Sequence, residues 1–343
     1  MQQPGILPVP SLVSISVRPA HHERNWRRYD APMIDSRKNR LRRELRVLVE
    51  RWLVPALIAA LPWWLGFRIA RRLARWPWFF RERVVATVAI AQRYGVVDDP
   101  QRFACEQRLY HLIDHVDLFL LKWRSDRYLD RHFDIEGDWP AGDGALITLS
   151  FHWGAGFWAL RSLRRSGRQF AGLSVRTDPD SFAGQALLHR YALLRNAEVI
   201  KTGAHDLVYI GDGPRPMRRA LQAGTCLLTS IDVPGVGGEQ AVRLLDRDAQ
   251  LPSGMIKLAE KAQVPIVFFA VWLDPATGRR KLRIREPLSV TDRDTAMQFA
   301  ASHFDWMLRT APAAWHFWAY ADAFFLQAPS ADTELDLEDQ QSA

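Results

Sequence analysis

The segment from residue 134 to residue 310 alternates between short apolar runs and helical patterns, and this alternation leaves few folds open. We predict strands at 145–151, 169–175, 197–201, 225–231, 264–272 and 280–285. Helices are predicted at 155–166, 181–195, 213–223, 253–263 and 294–310. Strands that alternate with helices usually pair in parallel, in a sheet that helices cover on both faces. The chain is therefore expected to be an α/β protein with a mainly parallel sheet.

The last two predicted strands are joined differently from the others. The turn sequence Asp274-Pro-Ala-Thr-Gly278 connects them without a helix. Such a short connection joins antiparallel strands. We expect a hairpin at the edge of the sheet.

Three of the predicted strands are followed by an ionisable side chain. His152 follows strand 145–151, Arg176 follows 169–175 and Asp232 follows 225–231, while Arg190 lies on the next helix after Arg176. Ligands of parallel sheets gather outside the carboxyl ends of the strands. These residues therefore predict a transfer site in which His152 is a general base, Asp232 orients it and an arginine binds an anion.

Each of these residues also has a structural explanation. A histidine at a strand end often only makes a structural hydrogen bond, and Asp232 precedes a glycine-rich turn that it could start. Arg176 could form a local ion pair with Asp178 or Asp180. The coincidence of three such residues at one sheet edge favours the site.

The N-terminal part carries the basic charge of the chain. Residues 36–83 hold thirteen Lys/Arg against three Asp/Glu, whereas the whole chain has a net charge of +8. Within this block, residues 52–67 are apolar but include Pro55 and Pro62, and they are shorter than the roughly 20 residues of a spanning helix. We expect this segment to lie in the interface of an anionic membrane. A single tilted span and a buried core helix are the alternatives. Nucleic acid is not an expected partner, because no recognised binding motif accompanies the charge.

Composition divides the chain into four parts. We expect a poorly ordered leader at 1–35, a basic, membrane-interacting helical region at 36–133, an α/β domain at 134–327 and an acidic tail at 328–343. His111 and His115, with Asp114 and Asp117 nearby, are interpreted as a mixed helix face rather than as metal ligands, because no third ligand is evident. No metal and no cofactor is predicted.

Several short sequences resemble landmarks of a known family. In chain order they are Ser150-Phe-His152-Trp-Gly154, Val175-Arg176, 185–200, Leu221-Gln-Ala-Gly224 with Ile231-Asp232, and Pro312-Ala-Ala-Trp315 with Trp318. Their order and spacing resemble the late lipid A acyltransferases (the lauroyl and myristoyl acyltransferase type) within the lysophospholipid acyltransferase superfamily. Mycobacterial phosphatidylinositol mannoside acyltransferases are similar. The resemblance covers roughly residues 40–320.

The resemblance implies a membrane-associated O-acyltransferase at the cytoplasmic face of a bacterial inner membrane. Such an enzyme moves a fatty acyl chain from an acyl carrier protein or coenzyme A thioester to a hydroxyl of a lipid or glycolipid, such as a lipid A precursor. It implies that His152 removes the proton of that hydroxyl, and that Arg190 or Arg176 stabilises the oxyanion or holds an acceptor phosphate. Trp153, Gly154 and Phe157 would then contact the substrate.

One position departs from the family motif, which is a histidine followed by four residues and a carboxylate. Here the motif carboxylate is replaced by Phe157, and no acidic residue lies between 145 and 177. Loss of the orienting carboxylate in a Ser-His-Asp system costs about 10⁴ in turnover. Three interpretations follow: Asp232 replaces the carboxylate, His152 acts alone in a weaker enzyme, or the protein is a catalytically impaired paralogue that binds acyl or lipid ligands or serves as a partner protein.

Overall fold

The computed structural model describes residues 37–234 and 238–326. The predicted leader at 1–35 and the predicted acidic tail at 328–343 lie outside the described residues. Within the described ranges, a helical region comes first and an α/β region follows it.

The helical region wraps around one long helix. Its elements are α1 (Arg37–Val47), a π-helical segment (Leu48–Leu53), α2 (Val54–Ala60), α3 (Trp63–Ala74), α4 (Arg81–Arg93), α5 (Pro100–Trp123) and α6 (Asp126–Asp130). The α5 helix begins cleanly because the Asp99 carboxylate accepts hydrogen bonds from the backbone N–H groups of Gln101 and Arg102. Most of α5 from residue 107 to residue 120 is buried, since α2, α3 and α4 pack against it.

The predicted apolar segment 52–67 is divided among three of these elements. Pro62 separates α2 from α3 and removes a backbone donor where a continuous helix would need one. Among the described residues, no helix is both long enough and apolar enough to cross a membrane.

A seven-stranded sheet forms the centre of the α/β region. Its strands are β1 (Phe133–Glu136), β2 (Ile147–Ser150), β3 (Phe170–Ser174), β4 (Val208–Tyr209), β5 (Cys226–Ser230), β8 (Ile266–Leu273) and β9 (Arg280–Ile284). The order is β1-β9-β8-β2-β5-β3-β4, and the strands from β8 to β4 all pair in parallel. The prediction of an α/β fold with a mainly parallel sheet is confirmed.

Five helices and a separate hairpin complete this region. The helices are α7 (Phe157–Arg165), α8 (Ala186–Gly203), α9 (Pro214–Gln222), α10 (Gly254–Ala262) and α11 (Arg293–Thr310). The hairpin consists of β6 (Glu239–Leu244) and β7 (Arg247–Pro252), which pair only with each other among the named strands.

Two details of the predicted sheet were wrong. Residues 197–201 belong to α8, and the strand that follows is the two-residue β4. A short apolar run such as Ala-Glu-Val-Ile is compatible with either a strand or a partly buried helix, so periodicity alone could not decide. The β8–β9 hairpin is antiparallel as predicted, but it is not the sheet edge, because β1 pairs with the outer side of β9.

A buried ion pair ties the helical region to the sheet. Arg280 on β9 donates hydrogen bonds to the carboxylate of Asp117 on α5, and both side chains are almost completely buried. The guanidinium also lies over the rings of Trp63 and Trp158, 5.0 and 5.5 Å from their centroids. Charge pairing and aromatic packing therefore hold α3, α5 and α7 against the antiparallel side of the sheet.

Candidate functional site

The pairing of β2 with β5 brings His152 beside Asp232. Ser150 pairs in parallel register with Ser230, so each of the two functional residues lies two positions beyond a paired residue. The ladder continues for one more bond, because the Ile231 N–H donates to the Ser150 carbonyl. The same register on neighbouring strands therefore places both side chains at one point of the sheet edge.

Asp232 is fully buried, and three N–H groups converge on its carboxylate. Oδ1 lies 2.8 Å from His152 Nδ1, and the His152 backbone N–H lies 2.9 Å from Oδ1 and 2.8 Å from Oδ2. The indole Nε1–H of Trp315 donates to Oδ2 over 2.9 Å. A carboxylate is an acceptor only, so this arrangement favours the imidazole tautomer with the proton on Nδ1.

The turn after His152 is fixed by its backbone. Gly154 has a φ of +70°, and a Cβ at this position would lie 1.8 Å from the Val271 carbonyl oxygen, so only glycine fits. The Gly154 N–H donates to the Ala314 carbonyl, and the Ala155 N–H donates to the Val271 carbonyl. The turn is therefore held between β8 and the segment that follows α11.

That C-terminal segment also encloses His152. The His316 backbone N–H donates to the His152 carbonyl over 2.8 Å. The imidazole of His152 stacks on the ring of Phe317, with centroids 4.1 Å apart and planes 16° from parallel. The His152 side chain remains 15% exposed, and its Nε2 makes no hydrogen bond to any residue in the described ranges. Nε2 is thus available to accept a proton from a bound molecule.

Neither of the two predicted arginines forms a hydrogen bond with His152 in the described part of the chain. Arg176 donates two hydrogen bonds to the carboxylate of Asp212 and lies 4.6 Å from the centroid of the Tyr209 ring, at an exposed position. Arg190 is exposed on α8. A position shortly after a strand, or on the helix that follows it, does not fix the direction of a long side chain, which is why the sequence suggested both.

The three residues predicted to contact substrate are buried. Trp153 donates its indole N–H to the Ala311 carbonyl, and Gly154 makes the turn contacts described above. The ring of Phe157 lies 4.3 Å from the guanidinium carbon of Arg195 on α8. Internal packing therefore explains why these three residues are buried.

Residues of the buried α5 face are engaged with other elements rather than grouped around a metal position. Asp114 forms an ion pair with Arg195, and Asp117 forms the pair with Arg280. The His115 Nδ1 lies 2.8 Å from the Tyr191 hydroxyl. In the described part of the chain, no group of three or more potential metal ligands is present.

Three residues that sequence reasoning left without a role complete the site: Trp315, His316 and Phe317. The sequence signal for these residues is the aromatic run from 312 to 318, which resembles a family motif but does not by itself assign them a role. Their contacts with His152 and Asp232 span between about eighty and 165 residues of chain, as the separation of 83 between Asp232 and Trp315 illustrates. Local patterns cannot specify contacts over such separations.

A small, partly open apolar pocket of about 20 Å³ lies among α2, α3 and α5. Its polar end is formed by Arg280 and Tyr128. The apolar lining comprises Ile58, Leu61, Trp63, Gly66, Phe67, Ile113, Val116 and Leu120.

No family model and no curated protein matches this chain.

Proposed function

We propose that the protein is a membrane-associated O-acyltransferase that moves a fatty acyl chain from an acyl carrier protein or coenzyme A thioester to a hydroxyl of a lipid or glycolipid. The observation that carries the proposal is the hydrogen bond of 2.8 Å between His152 Nδ1 and the buried Asp232 carboxylate, with Nε2 left available. A histidine oriented in this way is a general base. A thioester is already activated, so the reaction needs no serine or cysteine nucleophile in the protein.

The proposed step starts with the acceptor hydroxyl against His152 Nε2. Nε2 takes the hydroxyl proton while the oxygen attacks the thioester carbonyl carbon. The C–S bond then breaks, the new ester forms, and the sulfur leaves as a thiol after the imidazolium returns the proton. Asp232 stabilises the imidazolium and holds the ring in the required tautomer throughout.

This geometry supports the first of the three interpretations of the altered motif. Asp232 comes from β5 rather than from the helix after the histidine, and it contacts the same ring nitrogen that an orienting carboxylate must contact. We therefore propose that Phe157 does not leave His152 without a partner. Arg176 and Arg190 are assigned no part in the reaction.

Exposed apolar side chains in the helical region support binding to an anionic membrane surface, and hence a site of action at the cytoplasmic face of an inner membrane. Leu53, Leu57 and Trp64 are each at least half exposed, and Trp76 and Trp78 are nearly so. Exposed arginines lie on α1 (Arg42), on α3 (Arg68, Arg71 and Arg72) and directly after α3 (Arg75). Apolar burial combined with charge attraction is the usual basis of interfacial binding.

The acyltransferase proposal is tested by mass spectrometry of lipids from a strain that lacks the gene. We expect one acyl group to be missing from one lipid and to return with the wild-type protein. It should not return with His152→Ala. The matched control is His205→Ala, which removes a partly exposed histidine between α8 and β4. Full restoration by His152→Ala at normal protein levels would contradict catalysis and favour the binding-protein alternative.

Membrane binding is tested separately by sedimentation with vesicles. Vesicles that contain an anionic phospholipid should retain the protein, and neutral vesicles should retain less of it. Leu57→Ser should weaken retention, because Leu57 is 66% exposed. Ile135→Ser on the edge strand β1 is the matched control, at 53% exposure. Equal retention of the two variants by anionic vesicles would contradict the proposal that the exposed apolar side chains of the helical region bind the membrane.

A further inference from the structure

Arg83 is a buried cation without a partner. It lies on α4 and is only 8% exposed, yet its guanidinium forms no hydrogen bond or ion pair with any residue in the described ranges. Burial, together with repulsion from Arg51, lowers the pKa of Arg83 to about 10, so the side chain still carries its charge at neutral pH. Charged groups are almost never fully buried unless they are paired.

Two further arginines lie around the same position. Arg51 is buried in the π-helical segment, 5.8 Å from the centroid of the Tyr191 ring. Arg195 on α8 is paired with Asp114. Of the two carboxylates that act electrostatically on Arg83, Asp114 pairs with Arg195, and Glu50 accepts a hydrogen bond from the Phe80 N–H. Neither carboxylate forms an ion pair with Arg83, so Arg83 has no counter-ion in direct contact among the described residues.

Neutral donors or acceptors without partners lie in the same cluster. Nε2 of His111 and Nε2 of His115 are both buried, and neither has a hydrogen-bond partner among the residues that the structure describes. Burial and the neighbouring arginines hold the pKa of both imidazoles well below the usual value, so both rings are neutral. The ring of Phe80, three residues before Arg83, contacts both imidazoles, with centroids 5.5 Å from His111 and 5.7 Å from His115. Arg83 also contributes to the lowered pKa of each imidazole.

The cluster adjoins the proposed catalytic histidine along two lines of contact. The His316 Nδ1 lies 3.3 Å from His111 Nδ1, and its Nε2 lies 2.9 Å from the carbonyl oxygen of Gly154 in the turn after His152. On the other side, the ring on which His152 stacks, Phe317, makes an edge contact with Tyr320, which also acts electrostatically on Arg83. The cluster is therefore connected to the turn after His152 through His316.

We infer that Arg83, together with Arg51, Arg195, His111 and His115, binds a phosphate group of one of the substrates. This inference rests on the proposed acyl transfer in one respect: the acyl transfer determines which molecule carries the phosphate. Phosphate binding itself does not depend on it. A phosphate has several strong acceptor oxygens, whereas a carboxylate has two, and guanidinium groups bind it through charge-assisted hydrogen bonds. Binding would supply the counter-charge that Arg83 lacks among the described residues, and it would hold the substrate on the side of the site where His316 contacts the turn after His152.

Two substrates could supply this phosphate. One source is a phosphate on the headgroup of the acceptor lipid, and the other is the phosphodiester or phosphate of the donor's phosphopantetheine arm. The chemistry of recognition is the same for both.

The first test uses inorganic phosphate and the purified full-length chain, with no need for activity. Thermal unfolding is followed in sodium phosphate and in sodium chloride of equal ionic strength. We expect phosphate to raise the Tm of the wild type, because a ligand that binds only the folded state stabilises it. Arg83→Gln should abolish the phosphate-dependent rise and weaken binding about ten- to hundredfold, the range for a charge-assisted hydrogen bond. Arg81→Gln, an exposed arginine two residues away on α4, is the matched control and should keep the rise.

The Tm in chloride alone separates a binding role from a structural one. An unpaired buried cation destabilises the free protein, so Arg83→Gln should be at least as stable as the wild type without phosphate. A phosphate shift that survives in Arg83→Gln would overturn the inference, and so would a marked loss of stability in chloride. Should Arg83→Gln not fold, Arg83→Lys decides: it keeps the charge without the planar fork, and an undiminished phosphate shift in that variant would overturn the inference.

Two further arms keep this inference distinct from the proposed function. His152→Ala should retain the full phosphate shift even though it abolishes transfer, so failure of either idea is visible alone. In transfer assays, the loss caused by Arg83→Gln should disappear with a dephosphorylated acceptor if the acceptor supplies the phosphate. It should disappear with an acyl-pantetheine donor that lacks phosphate if the donor supplies it. A loss that persists equally with both phosphate-free substrates would contradict a phosphate site.

Discussion

Replacement of Asp232 by asparagine tests the central contact of the candidate site. The side chain keeps its size, so the change removes charge and one acceptor oxygen. In the structure, the carboxylate serves the His152 backbone N–H, the His152 Nδ1 and the Trp315 Nε1–H. An asparagine amide has one acceptor oxygen and one NH₂ group, so at least one of these donors must face another donor or lose its partner.

Two magnitudes follow from this loss. A buried donor left without an acceptor costs about 1–3 kcal/mol, so we expect the free energy of unfolding to fall by that amount. Loss of tautomer control and of imidazolium stabilisation costs about 10⁴ in turnover by analogy with catalytic triads, or about 5.4 kcal/mol in activation free energy. The loss of activity should therefore far exceed the loss of stability, and the variant should remain folded.

The tautomer can be measured without any substrate. Ring ¹⁵N chemical shifts of His152 should report protonation at Nδ1 in the wild type and a larger fraction protonated at Nε2 in Asp232→Asn. Urea unfolding gives the stability change, and restoration of the missing acyl group in the deletion strain gives activity. Asp180→Asn, at an exposed position in the short 3-10 helix Pro179–Phe182 before α8, is the matched control. Unchanged tautomer populations together with unchanged acyl transfer would refute the role of Asp232.

Three other perturbations test the packing around this site. Phe157→Glu would put a carboxylate at a position that now contacts Arg195, whereas His152 Nδ1 already has Asp232 as its partner. We therefore expect turnover to fall or to stay level. A rise in turnover of more than about threefold would contradict the assignment of Asp232. Asp117→Asn leaves the guanidinium of Arg280 buried without its counter-charge and should lower the free energy of unfolding by about 3–5 kcal/mol in urea titrations. Asp117→Leu combined with Arg280→Met should lose clearly less, and equal losses would show that the ion pair itself is not the cause. Burial lowers the pKa of His316 to about 4, whereas the pKa of an unfolded histidine is about 6.5. Between these pH values the unfolded state binds more protons than the folded state. The free energy of unfolding should therefore fall as the pH drops from about 6.5 to about 4. His316→Asn should make the Tm depend less on pH in this range. An unchanged dependence of the Tm on pH would contradict this role of His316.

The sequence predicted the sheet because its signals are local. Apolar runs of strand length alternate with helical patterns. The predicted strands 145–151, 169–175 and 225–231 end within one or two residues of β2, β3 and β5. The failure at 197–201 has the same origin. That run has too little periodicity to distinguish a strand from the end of α8, and only packing of the helix against β3 decides it.

For the candidate site, the sequence by itself determined that His152 and Asp232 follow strands and that Gly154 allows a tight turn between strand and helix. It could not determine that β2 and β5 are neighbours in exact register, which is what makes the two side chains touch. It also could not determine the directions of long arginine side chains. Arg176 turned to Asp212, while packing of α4 against α5 placed Arg83 near His111. Strand ends are encoded locally, whereas the burial of a distant cation depends on how the helical region closes over the sheet, and only the tertiary structure specifies that.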